Sequence, residues 1–137
     1  MDDFNLKNCG LFTGVDEQYV EDFLSSCDVV AFKKGEYIIK ENEVGDNMYL
    51  IEAGKVQILV NGKNIRTIDS GSLIGELCVF GQKRRAASVF AETDCTLLKI
   101  KGEDFRIRIY SKELDALLIS YNIAKELTAR FRDLLHV

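Results

Sequence analysis

The 137-residue chain contains no proline and no tryptophan, and its single histidine is His136. Metal-dependent enzymes that use histidine ligands need two or three of them together with a carboxylate, which one terminal histidine does not supply. The sequence also lacks a histidine placed to activate Ser88 or a cysteine as a nucleophile. We therefore expect a protein that is not an enzyme and has neither a metal site nor a cofactor.

The sequence also lacks a C-x-x-C pair. Its four cysteines are widely scattered, at Cys9, Cys27, Cys78 and Cys95. Zinc and iron–sulfur sites normally use closely spaced cysteines, so this spacing argues against such a site. We expect buried free thiols in a reducing compartment.

A signal peptide and long apolar runs are missing as well. The chain begins Met-Asp-Asp, without a basic start or an apolar core, and its apolar runs are far shorter than the ~20 residues of a membrane span. The formal charge of −4 argues against broad binding to nucleic acids or anionic membranes, which need a basic face. These absences predict a soluble cytoplasmic protein that binds neither nucleic acid nor membrane.

What the sequence does contain is a series of short runs rich in β-branched residues. Seven predicted strands lie at residues 29–32, 37–40, 48–52, 56–60, 65–68, 87–92 and 95–101. Asn61-Gly62 separates two of them and is a strong signal for a two-residue hairpin. With 47% hydrophobic residues, the chain suits one mainly β domain, either a sandwich or a jelly-roll barrel.

Helical spacing occurs at both ends of the chain. Near the N-terminus, apolar residues from Val15 to Leu24 predict a short amphipathic helix with Asp16 and Glu17 in its first turn. Near the C-terminus, we predict helices over 103–110 and 112–135. The longer one carries an apolar stripe at three- and four-residue steps: Leu114, Leu117, Tyr121, Ala124, Thr128, Phe131 and Leu135. The stripe either packs on the chain's own barrel, is shared with a second copy, or moves over a ligand.

Two segments between residues 71 and 91 carry the candidate site. They are Gly75-Glu76-Leu77-Cys78 and Arg85-Ala86-Ala87-Ser88. A glycine turn into a helix start offers backbone N–H groups to an anion, and arginine can grip a phosphate with two parallel hydrogen bonds. An acid beside an anion site needs its own task, such as accepting hydrogen bonds from a sugar hydroxyl. The two segments predict a pocket for a sugar phosphate, although Lys83-Arg84-Arg85 alone is equally typical of a solvated loop.

These segments resemble the phosphate-binding cassette of cyclic nucleotide-binding domains, found in catabolite-activator-type regulators, cAMP-dependent kinase regulatory subunits and cyclic nucleotide-gated channels. The family pattern is roughly G-E-[LI]-[small], a short loop, and R-[AST]-A-[ST]-V, matched here by residues 75–78 and 85–89. Turn glycines at 34–36, 44–46 and 53–55 extend the resemblance from about Leu11 to Phe105. Arg84 stands where the family often has proline, which either loosens the loop or adds a second cation.

The resemblance implies one domain over 1–137, a jelly-roll β-barrel of about eight strands with a short N-terminal helix and C-terminal helices. The N-terminal helical segment would cover about 1–27, the barrel 28–101, the cassette 74–89 and the C-terminal helices 102–137. In the family, the last helix serves as dimer interface, lid, or both.

The resemblance also assigns roles to the ligand-binding candidates. These are Gly75, Glu76, Leu77, Cys78, Arg84, Arg85, Ala86, Ala87, Ile58 and Arg130. Arg85 would neutralise the phosphate beside the amides of 77–78 and 86–87, and Glu76 would accept from the ribose 2′-hydroxyl. Ile58 would support the base and Arg130 would cap it, unless Arg130 is a solvent-facing helix charge. Ala86, where cGMP-selective members often have threonine, favours cAMP over cGMP.

We therefore expect a non-catalytic cAMP sensor, a regulatory domain in signal transduction whose ligand moves its C-terminal helix. A homodimer through that helix is an expected partner arrangement. The alternative is a degenerate family member that acts as a dimerisation or interaction domain without nucleotide. The chain is either a stand-alone domain or part of a larger regulator, kinase or channel.

Overall fold

The computed structural model describes residues 5–81 and 83–135, and the predictions for His136 and the first four residues lie outside this range. The described residues form eight strands: β1 (Asp28–Phe32), β2 (Tyr37–Ile39), β3 (Asn47–Ala53), β4 (Val56–Val60), β5 (Lys63–Ile68), β6 (Leu73–Ile74), β7 (Ser88–Ala91) and β8 (Cys95–Lys101). They pair in two antiparallel sheets with the orders β1-β8-β3-β6 and β2-β7-β4-β5. This arrangement confirms the predicted jelly-roll fold.

Four predicted strands, β1, β2, β3 and β7, differ from the structure by one residue at one or both ends, and larger differences occur at β5 and β6. Strand β5 begins at Lys63 rather than residue 65, because Asn61 and Gly62 both have positive φ (52° and 77°) and pair Val60 directly with Lys63. Strand β6 was not predicted, because two residues are too few to show a periodicity. Its buried Leu73 and Ile74 pair with β3 and complete the first sheet.

The helices are α1 (Glu17–Ser26), α2 (Gly102–Tyr110) and α3 (Leu114–Leu135). Helix α1 begins two residues later than predicted, because the Asp16 carboxylate caps it by accepting a hydrogen bond from the Tyr19 N–H at 3.2 Å. Two 3₁₀ turns, Leu6–Asn8 and Gly10–Phe12, precede α1 within the predicted N-terminal helical segment, although no separate helical turn was predicted there. Within the described residues, none of the helices is long and apolar enough to cross a membrane.

The buried side chains form two clusters in the described part of the chain, one on each face of the first sheet. Along β3, Tyr49 and Ile51 pack between the two sheets, whereas Met48 and Leu50 pack under the helices. In the cluster under the helices, edge-to-face contacts among Phe12, Phe23 and Phe105 link the N-terminal segment to α2. The middle of β3 is therefore covered on both faces, which explains its continuous apolar run from Met48 to Ile51.

Helix α3 packs on the N-terminal segment with a face that differs from the predicted stripe. Its buried residues are Ala116, Ile119, Asn122 and Ile123. The Asn122 side-chain amide donates to the carbonyls of Leu11 and Thr13, both at 2.9 Å. The seven residues of the predicted stripe are exposed instead, although one of them, Phe131, also lines the cavity described below.

The four cysteines are free thiols. Cys78 and Cys95 are buried as predicted, whereas Cys9 and Cys27 are only half-buried, so the prediction is wrong for those two. Burial raises the pKa of all four thiols, that of Cys27 to about 11. They are therefore protonated at neutral pH and are poor nucleophiles and metal ligands. Residues 5–81 and 83–135 contain no group of three or more His, Cys, Asp or Glu side chains that could hold a metal ion.

Candidate functional site

The ten predicted site residues line a single cavity of about 470 Å³. It lies between the second sheet, the segments around residues 75–78 and 84–87, and the C-terminal half of α3. A volume in this range suits a small organic ligand. The fold thus brings together residues 58, 75–78, 84–87 and 130, which are distant in the sequence.

Gly75 makes the sharp turn that starts the cassette. Its φ of 76° lies in the left-handed region, and it caps the 3₁₀ helix Glu76–Phe80. A Cβ atom on Gly75 would lie 2.7 Å from Arg85 Nη1 and 2.9 Å from Ile39 Cδ1. Both the backbone conformation and the close approach of Arg85 therefore require glycine.

The Arg85 guanidinium points inward and is held by backbone oxygens. Its Nη2 donates to the Asn47 carbonyl at 2.8 Å, and its Nη1 donates to the Gly75 carbonyl at 3.2 Å and contacts Cys78 Sγ at 3.4 Å. A Cβ atom on Gly45 would come within 2.5 Å of Arg85 Nε, so glycine is required at this contact too. These contacts fix the guanidinium in one position at the cavity wall.

The loop between β2 and β3 supports Arg85 from behind. The Arg85 N–H donates to the Glu43 carbonyl at 2.8 Å, and the Asn42 N–H donates to the Arg85 carbonyl at 2.9 Å. Arg84 Nη1 donates to the Asn42 carbonyl at 2.8 Å, although Arg84 is otherwise exposed. Arg84, which replaces the proline common in the family, therefore connects the cassette to this loop through a hydrogen bond.

Glu76 carries a buried carboxylate that is paired with α3. Arg130 Nη1 lies 3.2 Å from Glu76 Oε1, and the two side chains are only 13% and 8% exposed. Arg130 Nη2 also donates to the Leu73 carbonyl at 3.2 Å and to Glu126 Oε1 at 2.6 Å. Burial raises the pKa of Glu76, and the Arg130 charge opposes that rise. Arg130 is thus not the solvent-facing helix charge that we considered, and its role as a base cap stays a prediction.

Of the apolar cavity wall, sequence reasoning named only Ile58, together with the possibility that the α3 stripe containing Phe131 covers a ligand. The additional lining residues are Ile39, Val60, Ile65, Arg66, Ile74, Val89, Leu127, Phe131 and Leu134. On α3, the spacing of Leu127, Phe131 and Leu134 shows that they share a face, but not that this face turns toward the barrel. At the rim, Arg66 Nη1 lies 3.2 Å from Asp133 Oδ2 and links β5 to the end of α3.

Comparison with known proteins identifies similar chains. A family model described as "Cyclic nucleotide-binding domain" matches residues 29–109. Potassium/sodium hyperpolarization-activated cyclic nucleotide-gated channel 2 of Mus musculus is 36% identical over 95 residues, which cover 69% of this chain and 11% of the channel. The catabolite activator protein of Thermus thermophilus superposes with a TM-score of 0.77 at 26% identity, covering 90% of this chain and 59% of that chain. The cAMP-bound PfPKA-R superposes with a TM-score of 0.65 at 29% identity, covering 74% and 38%.

Proposed function

The chain belongs to the cyclic nucleotide-binding domain family, and from this premise we propose that it is a cAMP sensor whose ligand acts on helix α3. The observation that carries the proposal is an inward-facing Arg85 and a buried Glu76 in the same cavity as the C-terminal half of α3. The role is regulatory binding rather than catalysis. A cytoplasmic location is part of the proposal, because four free thiols suit a reducing compartment.

Arg85 provides the positive charge that a cyclic phosphodiester needs. Burying the anion is costly unless it is paired and hydrogen-bonded. Arginine has five N–H donors, and contacts with Asn47, Gly75 and Cys78 engage three of them here. The remaining donors, together with the backbone amides of residues 77–78 and 86–87, would bind the phosphate oxygens. Since the guanidinium is already fixed, little conformational entropy is lost on binding.

Glu76 is suited to read the ribose. Its carboxylate is buried, and Arg130 favours its charged, accepting form. A 2′-hydroxyl would donate to this carboxylate, whereas a deoxyribose would leave it without that partner. The ligand therefore carries a free 2′-hydroxyl next to a cyclic phosphate.

The apolar part of the cavity would hold the base. Ile58 on β4 and Phe131 on α3 both line it. Ala86 has no hydroxyl to donate to or accept from a guanine, so the site favours adenine. The similarity to cAMP-bound PfPKA-R supports the same choice.

Helix α3 contacts the same groups that the ligand would contact. Arg130 reaches the Glu76 carboxylate, and Leu127 and Phe131 line the cavity. A ligand can shift α3 only if it binds two positions of the helix with different affinity. Because Arg130 on α3 pairs with Glu76, a ribose that binds the same carboxylate would have a different affinity for each position of the helix.

Isothermal titration calorimetry with cAMP, cGMP and linear AMP tests the proposal. We expect the wild-type chain to bind cAMP most tightly and linear AMP most weakly. Arg85→Ala should weaken cAMP binding by about thirtyfold to several thousandfold, since losing one partner of a buried charged pair costs about 2–5 kcal/mol. Lys7→Gln, which removes an exposed ion pair with Glu21 outside the cavity, should leave affinity unchanged. No heat and no thermal shift with any of the three nucleotides would contradict the proposal.

A second function, dimerisation through α3, is favoured by the exposed stripe. All seven of its residues are exposed, and their alternating three- and four-residue steps are those of a coiled-coil seam: Leu114, Leu117, Tyr121, Ala124, Thr128, Phe131 and Leu135. Phe131 also lines the ligand cavity, so the dimer and the ligand would share this residue. Light scattering after gel filtration should give the mass of a dimer. Tyr121→Glu should give a monomer, whereas Ala129→Glu, on the same helix but outside the stripe, should not. A monomeric wild-type chain would contradict this second function, and a dimer that ignores all nucleotides would support the degenerate alternative.

A further inference from the structure

A bidentate ion pair joins the loop between β2 and β3 to helix α2. The Arg106 Nη1 and Nη2 atoms donate to Asp46 Oδ1 and Oδ2, each at 2.8 Å. The Gly102 N–H donates to the Asp46 carbonyl at 2.7 Å, and a Cβ atom on Gly102 would lie 2.5 Å from that oxygen. Helix α2 therefore holds Asp46 by both its backbone and its carboxylate.

The neighbours of Asp46 in the chain contact Arg85 on both sides. The Asn47 carbonyl accepts from Arg85 Nη2 at 2.8 Å, and a Cβ atom on Gly45 would be 2.5 Å from Arg85 Nε. Asp46 thus sits beside the guanidinium to which we assign the phosphate. Hydrogen bonds from Arg106 hold the pKa of the Asp46 carboxyl below its ordinary value, and the charges of Arg106 and Arg85 and the backbone N–H of Glu103 act in the same direction. Asp46 is accordingly an anion at neutral pH, next to an anion-binding residue.

We propose that Arg106 is a positioning residue that keeps the Asp46 carboxylate away from Arg85, so that Arg85 stays available for the phosphate of the ligand. This inference rests on the proposed function. A carboxylate and a phosphate bind the guanidinium fork in the same way and therefore compete for it. With Arg106 in place, Arg85, Arg106 and Asp46 together carry one net positive charge. Without Arg106 that charge is zero, and the ligand has to displace a carboxylate.

Calorimetric titration of cAMP into two variants tests the competition. Arg106→Gln should weaken binding about tenfold, or ~1.4 kcal/mol; the effect is moderate because both side chains are partly exposed and screened by solvent. Adding Asp46→Asn to Arg106→Gln should restore affinity to within about twofold, because the competing anion is gone. A merely structural ion pair would be broken in both variants, so a double variant as weak as Arg106→Gln would overturn the inference. Lys7→Gln serves as the control, and circular dichroism checks that every variant is folded at the titration temperature.

A titration without ligand separates this inference from the proposed function. Arg85→Gln should raise the Asp46 pKa, followed by carbon-13 NMR, much more in the Arg106→Gln background than in the wild type, because Arg85 then becomes a direct partner of the carboxylate rather than a nearby charge. The Glu103 N–H, which also lowers this pKa, is present in every variant and cancels in the comparison. An equal effect of Arg85→Gln in both backgrounds would show that Asp46 does not turn to Arg85, which overturns the inference. If the wild-type chain binds no nucleotide, the proposed function is wrong, and this titration still decides whether Arg106 separates the two groups.

Discussion

Removing Arg130 should make the stability of the protein depend more strongly on pH through Glu76. The two side chains are 13% and 8% exposed and their charged atoms are 3.2 Å apart. Removing one partner of a buried ion pair typically costs about 3–5 kcal/mol, because the other charge is left buried and unpaired. For Arg130→Gln we expect the lower end, about 3 kcal/mol of unfolding free energy at about pH 8.

The direction of the pH dependence follows from the shift of the Glu76 carboxyl. Burial already raises its pKa, and the loss of the opposing Arg130 charge raises it further. Between the ordinary glutamate pKa of about 4.3 and the raised pKa of the folded state, the folded chain binds more protons than the unfolded chain. Stability therefore falls as pH rises through this window. The loss is complete above the folded-state pKa and small below about pH 4.

Urea unfolding at about pH 5 and about pH 8 measures this effect. The difference in unfolding free energy between wild type and Arg130→Gln should be clearly smaller at the lower pH, with similar m-values. Combining Arg130→Gln with Glu76→Gln should abolish the added pH dependence, since no carboxyl remains to titrate. An equal loss at both pH values, or a double variant that keeps the dependence, would refute the reasoning.

Two further predictions concern the cassette turn and the attachment of α3. Gly75→Ala should destabilise the protein in urea by at least ~1 kcal/mol more than Gly62→Ala. Both glycines have nearly the same positive φ, so the backbone cost of alanine should be similar at the two positions. Only at Gly75 would the added Cβ atom lie 2.7 Å from Arg85 Nη1, whereas nothing lies within 4 Å of it at Gly62. Equal losses of unfolding free energy would contradict this steric explanation. Asn122→Leu should cost about 2–3 kcal/mol in thermal unfolding, because two backbone carbonyls of the N-terminal segment lose their donor; an unchanged melting temperature would show that these bonds contribute little.

Much of the fold could be predicted because it depends on neighbouring residues. Short β-branched runs separated by turn residues identified seven of the eight described strands, and Asn61-Gly62 identified the hairpin between β4 and β5. The turn at Gly75 and the helical turn after it were also predictable, because glycine permits a positive φ. These features require no knowledge of distant contacts.

Other features depend on which surfaces meet. The predicted apolar stripe of α3 is exposed, while Asn122, a polar residue, lies on the buried face because two backbone carbonyls accept its hydrogen bonds. From the sequence, Arg130 was predicted only as a cap on the base of the bound nucleotide. Its actual partner, Glu76, is 54 positions away and becomes visible only when α3 crosses the cavity.

By itself, the sequence determined the strands, the turn at Gly75 and the presence of an acid and an arginine at a phosphate-binding spacing. The tertiary structure decided that Arg85 faces inward on backbone carbonyls, that Glu76 pairs with Arg130, and that Asp46 is held by Arg106. The physical reason is that backbone preferences act between adjacent residues. The pairing of buried charges, in contrast, depends on which distant segments the hydrophobic core brings within a few ångströms of each other.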